Sequence, residues 1–366
     1  MDGKRVIICA GGTGGHLYPA LAVGAGLRSL EPDIRILYVG SHRKVEKKIM
    51  EQHGVDFVPI KVEGLKRRGL RKFPALFMLI GAFRRSHQLL LEFKPHLVIG
   101  AGGYSSGPLV LLASRRKIPT VILEQNAVPG FTNRLLARRV DRAVVAFPAT
   151  AAAFGDKAVY LGNPVRQEFE NLPAKAEKEG LDLLILGGSQ GSRFLNERVT
   201  ACLPLISSER AGLRIVHQTG DKDYDWVKKR YQEEGFAADD VLPYLNDMPA
   251  RFAAADLIIS RAGAMTCAEI IAAGKAAVLV PFAGAVDDHQ TKNALQLQNV
   301  SGAELIPEAE ASAERLAARI SHFLKNKSEL SSMANNLNVL RTEKAAEKIA
   351  KLSLSLIPED KEQEKP

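Results

Sequence analysis

A histidine closing a glycine turn, Gly11-Gly12-Thr13-Gly14-Gly15-His16, is the first place in this chain where residue types and spacing point to chemistry. An imidazole titrates near working pH and can take a proton from a hydroxyl. The turn follows the apolar run Val6-Ile7-Ile8-Cys9-Ala10 and precedes Leu17-Tyr18-Pro19-Ala20-Leu21-Ala22-Val23. Strand, glycine turn and helix opening is a layout that presents free backbone N–H groups to an anion. The plainest alternative is the dinucleotide fingerprint of a dehydrogenase. That fingerprint needs an acid about 20 residues on, at the end of the second strand, to hold a ribose. Here the strand ends Ile36-Leu37-Tyr38-Val39-Gly40-Ser41-His42, without one.

Further polar groups follow other strand ends. Gly100-Ala101-Gly102-Gly103-Tyr104-Ser105-Ser106-Gly107-Pro108 comes after Leu97–Ile99, and Glu124-Gln125-Asn126 after the next strand. Polar residues at the carboxyl end of parallel strands lie where α/β folds bind ligands. A carboxylate buried there without compensation is expensive, so Glu124 is expected to have a partner or a role. Gly187-Gly188-Ser189-Gln190-Gly191-Ser192 and Ser260-Arg261-Ala262-Gly263-Ala264-Met265-Thr266-Cys267-Ala268-Glu269 repeat the pattern later. Taken singly, each is equally a tight turn, and Glu269 an ordinary acid near a helix N-terminus. Asp287-Asp288-His289-Gln290 offers one histidine only. Asp221-Lys222-Asp223-Tyr224-Asp225 is better explained by helix capping than by a metal. No protein-bound catalytic metal and no cofactor is expected.

These groups are carried by alternating strand and helix signals, which imply parallel sheets covered on both faces. Strands are expected at residues 5–10, 35–39, 97–99, 120–123, 142–146 and 158–160. The series restarts at 181–186 and continues at 213–218, 241–243, 257–260 and 277–280. Lys175-Ala176-Glu177-Lys178-Glu179-Gly180 separates the two series, with Pro164 and Pro173 nearby. Two first strands, each followed by a glycine turn, indicate an α/β chain with two Rossmann-like domains facing a cleft. A length of 366 residues suits two domains. Three separated cysteines suit a reducing compartment rather than a disulfide framework. No signal peptide is evident, and no apolar stretch reaches the roughly 20 residues of a membrane span.

The net charge is +9, which favours anionic partners. It concentrates in Lys61, Lys66, Arg67, Arg68, Arg71 and Lys72. The apolar run Phe73-Pro74-Ala75-Leu76-Phe77-Met78-Leu79-Ile80-Gly81-Ala82-Phe83 comes next, and then Arg84 and Arg85. Apolar residues flanked by cations suit an anionic membrane surface, with Phe73, Leu76, Phe77, Leu79, Ile80, Phe83, Arg84 and Arg85 as the patch. The competing reading is a core helix behind a solvated basic loop. Nucleic acid is not expected, because aromatics for base stacking are not clustered. The mixed-charge tail from 353 to 366 is expected to be disordered.

Six motifs taken in order resemble one family, the MurG glycosyltransferases. They are Gly11 through Pro19, Gly100 through Pro108, Glu124-Gln125-Asn126, Gly162-Asn163-Pro164-Val165-Arg166, Gly187 through Gly191, and Ser260 through Glu269. The family moves N-acetylglucosamine (GlcNAc) from UDP-GlcNAc to undecaprenyl-pyrophosphoryl-N-acetylmuramoyl (MurNAc) pentapeptide in bacterial cell-wall synthesis. The resemblance implies the GT-B architecture. It puts an acceptor and membrane domain at 1–163 and a donor domain at 164–336, with a helix at 337–352 returning to the first domain. It also implies a peripheral place on the cytoplasmic face of the membrane, with anionic lipids and other cell-wall synthesis proteins as partners.

The resemblance further implies residue roles. Thr13, Gly14 and Gly15 would line the cleft, and Gly102, Gly103, Tyr104 and Ser105 would form acceptor-side loops. Asn126 would contact the donor sugar. Arg166 and Ser189 would lie near the donor diphosphate, Leu245 would meet the uracil, and Ala264, Met265 and Thr266 would cradle phosphates. Glu269 would hold the ribose and Gln290 the sugar hydroxyls, with His289 sharing that contact. The expected chemistry is one inverting displacement at the anomeric carbon, with His16 as base and Glu124 in reserve. Rival expectations are another sugar transferase of this architecture and a nucleotide-sugar epimerase.

Overall fold

The computed structural model describes residues 3–12, 14–61, 72–173, 175, 178–188 and 190–358, with backbone alone for 72–78. The chain divides into two units, Met1–Arg166 with Lys344–Pro366, and Gln167–Glu343.

The first unit is built on seven parallel strands. They are β1 (Arg5–Cys9), β2 (Arg35–Gly40), β3 (Phe57–Pro59), β4 (Leu97–Gly100), β5 (Thr120–Glu124), β6 (Arg142–Val145) and β7 (Ala158–Tyr160). Their order is β3-β2-β1-β4-β5-β6-β7. Val6, Ile7, Ile8 and Cys9 are all fully buried, which requires cover on both faces. Alternation divides them. Val6 and Ile8 pack with Leu17, Val23 and Leu27 of the helix Gly14–Leu30, and with Ile349 and Ala350 of the helix Ala345–Leu354. Ile7 and Cys9 face Leu89 and Leu90 of the helix Lys72–Phe93 and Leu109 and Val110 of the helix Ser106–Arg115.

The second unit has six parallel strands: β8 (Leu181–Leu186), β9 (Leu213–Gln218), β10 (Val241–Leu242), β11 (Leu257–Ser260), β12 (Ala276–Leu279) and β13 (Ala303–Leu305). Their order is β10-β9-β8-β11-β12-β13. Leu183 and Ile185 join Leu257, Ile259, Val278 and the helix residues Leu316, Ile320 and Phe323 in one core.

Three expectations need correction. The boundary between units follows Arg166, not residue 163. Residues 337–343 stay with the second unit, where Leu337 is fully buried against Gly302. The returning helix begins only at Ala345. The chain from 353 to 358 is ordered rather than loose: Ser353 is buried, and Leu354, Leu356 and Ile357 pack on the first core. Residues 359–366 lie outside the described residues.

Candidate active site

In each sheet the strand order reverses at one place, and there the loops after neighbouring strands diverge and open a crevice. In the first unit that place is between β1 and β4, where Cys9 pairs with Gly100. The loops leaving it are the glycine turn ending at His16 and the Gly100–Ser105 segment. The Gly11 N–H donates to the Gly102 carbonyl at 3.3 Å, so the two loops lie against each other. Gly102 has a φ of 105°, and a Cβ there would stand 2.5 Å from His16 Nδ1. Gly103 has a φ of 83°, and its Cβ would strike the Gly11 carbonyl oxygen. Neither position admits a side chain. Ser105 is buried beneath Gly11, and Tyr104 is exposed.

His16 is half-buried near the start of the helix Gly14–Leu30. Its Nδ1 is 3.2 Å from Gln125 Oε1. Gln125 is buried, and its Nε2 donates to the Ala101 carbonyl at 2.8 Å. Burial lowers the imidazole pKa from its ordinary value. The Glu124 charge, the Gln125 bond, the Ala101 carbonyl and the Glu46 charge pull it back upward without restoring it. The ring is therefore neutral at working pH, the form a base must have.

Glu124 has no such freedom. Its Oε1 accepts from the backbone N–H and side-chain amide of Asn126, at 3.0 and 3.2 Å. Its Oε2 accepts from the Gly130 N–H at 2.9 Å and the Asn133 amide at 2.8 Å. A carboxylate has about four lone-pair sites, and donors fill all four. Glu124 thus shapes the 126–133 loop. Asn126 is held by this carboxylate, and Thr150 Oγ1 donates to the Asn126 and Ala127 carbonyls.

Glu46 went unnoticed in the sequence. It is 1% exposed on the helix Lys44–Gln52. It accepts from the Gly12 N–H at 2.7 Å, the Ser41 N–H at 2.6 Å and the Ser41 hydroxyl. Arg43 donates to the Gly12 carbonyl at 2.8 Å. The Gly12 N–H is therefore taken by a carboxylate and not offered to an anion, a correction to the simple anion-cradle reading of this turn.

Thr13 and Ser189 lie outside the described residues. Gly14 and Gly15 are half-buried at the head of their helix. Arg166 is the last residue of the first unit, with its guanidinium 5.9 Å from the Tyr18 ring centre.

In the second unit the reversal lies between β8 and β11. The loops leaving it are Gly187–Ser192 and the entry to the helix Ala264–Ala273. Gly263 caps that helix without a side-chain bond, and the first intrahelical bond is Cys267 N–H to Gly263. The N–H groups of Ala264, Met265 and Thr266 precede it, in the first turn of the helix, where the positive end of the helix dipole lies. Glu269 is half-buried, one turn further on. Leu245 is buried. Gln290 Oε1 accepts from the Phe282 N–H at 3.0 Å. Asp287 and Asp288, just before it, both have positive φ.

Arg261 ties these loops together. It is 8% exposed. Its Nε donates to Ser192 Oγ at 3.0 Å, and one Nη donates to the Val280 and Pro281 carbonyls. The other Nη meets Glu308 Oε1 at 2.8 Å. The rings of Phe194 and Phe282 lie 5.1 and 5.6 Å away. Burial works against ionisation of Glu308. The Ala283 N–H and Arg261 prevail and hold its carboxyl below the usual range. Asp223, expected to cap a helix, stands at the N-cap position without a capping bond. Its carboxylate instead accepts from Arg193 and Asn196.

On the helix Lys72–Phe93, Ala82, Ser86, Leu89 and Leu90 turn into the core. Ile80, Arg84, His87 and Leu91 form an exposed stripe of mixed apolar and basic character. Leu79, Phe83 and Arg85 are half-buried between them. The side chains of Phe73, Leu76 and Phe77 lie outside the described residues, as do residues 62–71. Among the described residues no helix is long and apolar enough to cross a membrane.

Residues 6–145 match the glycosyltransferase family 28 N-terminal domain, and residues 182–352 match its C-terminal domain. The chain is 43% identical over 333 residues to the UDP-N-acetylglucosamine--N-acetylmuramyl-(pentapeptide) pyrophosphoryl-undecaprenol N-acetylglucosamine transferase of Syntrophus aciditrophicus, covering 90% of this chain and 92% of that one. It is 42% identical to the enzyme of the same name from Desulfotalea psychrophila, over 98% of each. The crystal structure of Acinetobacter baumannii MurG superposes with a TM-score of 0.78 at 32% identity, covering 96% of this chain and 99% of that one. With two parallel Rossmann-like sheets of the GT-B fold and matches across both units, this chain belongs to glycosyltransferase family 28 and, within it, to the MurG transferases.

Proposed function

We propose that this chain transfers GlcNAc from UDP-GlcNAc to the MurNAc 4-hydroxyl of undecaprenyl-pyrophosphoryl-MurNAc-pentapeptide. The observation that carries it is 42% identity over 98% of the chain to a transferase named for that reaction. The acceptor oxygen attacks the anomeric carbon from the face opposite UDP. The bond to the diphosphate oxygen breaks, its electron pair leaves with UDP, and configuration inverts. His16 takes the hydroxyl proton. Its proximity to Gln125 and its neutral state support that role. Charge developing on UDP is met by the positive end of the helix Ala264–Ala273, a dipole already oriented before reaction. Asn126 and the amide nitrogen of Gln290 suit sugar hydroxyls, since the Gln290 oxygen is already engaged.

Thermal unfolding with UDP-GlcNAc, UDP-glucose and NADH tests donor choice. Stabilisation by UDP-GlcNAc above the other two is expected, and no response to either UDP-sugar contradicts the assignment.

Glu269 supports ribose binding by its place one turn inside the phosphate-facing helix. In Glu269→Ala the donor KM rises about 10- to 100-fold, as loss of a charged hydrogen bond implies, with kcat less affected. An unchanged KM refutes the ribose contact.

The stripe of Ile80 and Arg84 supports docking on an anionic membrane, where the acceptor lipid resides. Both side chains are exposed, so Ile80→Asp with Arg84→Glu leaves the fold intact. Binding to phosphatidylglycerol vesicles should fall at least about tenfold, because each cation near such a surface contributes about 1 kcal/mol. Undiminished binding places the membrane contact elsewhere.

A further inference from the structure

We propose that Gln125 is a positioning residue that holds His16 in its Nδ1–H form, so that Nε2 is the atom that receives the acceptor proton. The role depends on His16 being the base.

The orientation of the Gln125 amide follows from its second partner. The Ala101 carbonyl can only accept, so the amide nitrogen must face it, at 2.8 Å. The amide oxygen is then the atom turned to His16, 3.2 Å from Nδ1. An amide oxygen also only accepts, so Nδ1 must carry the hydrogen in the neutral ring. The lone pair of the neutral ring is then left on Nε2.

The arrangement is rigid for reasons visible around it. Gln125 is 2% exposed, directly after β5, and Ala101, directly after β4, is fully buried. Gly102 closes the Nδ1 side of the ring so tightly that no Cβ fits. The charged groups acting on the ring are Glu124 from β5 and Glu46 from the Lys44–Gln52 helix. Arg43, before that helix, is held on the Gly12 carbonyl. Glu124 is filled by four donors, and Glu46 is turned to the Gly12 N–H and to Ser41, from which it accepts three hydrogen bonds. When Nε2 takes the proton, the Nδ1–H stays on Gln125, whose oxygen then faces an imidazolium. The bond grows stronger as charge develops.

The test is the pH dependence of kcat in Gln125→Leu and Gln125→Glu, using the whole enzyme with UDP-GlcNAc and the lipid-linked acceptor. Loss of an acceptor that favours the charged ring lowers the His16 pKa. The acid limb of the profile therefore moves to lower pH in Gln125→Leu. Its plateau falls about 10- to 100-fold, below the full contribution of a general base. Gln125→Glu restores an acceptor at Nδ1 and adds negative charge, so the limb moves to higher pH and the plateau recovers above it. In a His16→Ala background, Gln125→Leu costs nothing further, because the two act as one unit.

An acid limb unmoved in both Gln125 variants overturns the proposal, as does a Gln125→Leu penalty that persists in full without His16. If kcat survives in His16→Ala itself, the base assignment fails, and that outcome is distinct from failure of Gln125 alone.

Discussion

His16→Ala is expected to lower kcat by about 10²- to 10⁴-fold, the usual contribution of a positioned general base. UDP-GlcNAc affinity should be nearly unchanged. The separation follows from where the side chain sits. It meets Gln125, Ala101 and Gly102 within the first unit, while the helix start proposed for the donor phosphates is at Ala264 in the second. An interaction made mainly in the transition state lowers kcat and kcat/KM together and spares ground-state binding. The pH profile should change with it. In the native enzyme the acid limb marks protonation of His16, at a pH below the ordinary imidazole value because burial disfavours the charged ring. Activity is retained above that pKa and lost as pH falls through it. The limb should vanish from the residual activity of His16→Ala. Parallel loss of kcat and UDP affinity would instead make His16 a binding residue.

Arg261→Ala is expected to destabilise the second unit by about 3–5 kcal/mol, the range for removing one partner of a buried ion pair. The guanidinium serves four acceptors on three segments: Ser192 in the glycine loop, Val280 and Pro281 after β12, and Glu308. Its removal leaves the Glu308 carboxylate largely shielded from water without its cation, and two carbonyls without a donor. For a unit of this size the melting temperature should fall by roughly 10 °C. Donor KM should rise as well, because the Gly187–Ser192 loop loses its anchor. Arg261→Lys should recover little, since an ammonium cannot reproduce the planar fork. A melting temperature within a degree or two of native would show that the arginine is dispensable.

Neither Arg261 nor Glu46 was legible as a working residue, although Arg261 lies inside a motif read from the sequence. The partner that fixes its role, Glu308, is 47 residues away and meets it only because β13, whose following loop carries it, lies in the same sheet as β11, with β12 between them. Glu46 sits in Lys44-Val45-Glu46-Lys47-Lys48, which reads as a solvated helix. Its burial arises because the pairing of β1 with β2 brings Ser41 beside Gly11. Long-range pairing of this kind leaves no local pattern. The short edge strands β3 and β13, three residues each, escaped for a related reason. One ends in proline, and both gain their extended form from a neighbouring strand. By contrast, β1, β4, β8 and β11 were legible because central parallel strands are apolar on both faces and end in glycine-rich turns. The need for a partner at Glu124 was also legible, since burial of a carboxylate demands one. That four donors would exhaust it was not.

Transfer itself is tested most directly by incubating the purified chain with UDP-GlcNAc labelled in the sugar and with undecaprenyl-pyrophosphoryl-MurNAc-pentapeptide. The account predicts that label enters the lipid-soluble fraction only when acceptor is present, with one UDP released per sugar transferred. Label that remains on UDP while the sugar is converted to its 2-epimer, or UDP release with no labelled lipid, would contradict it.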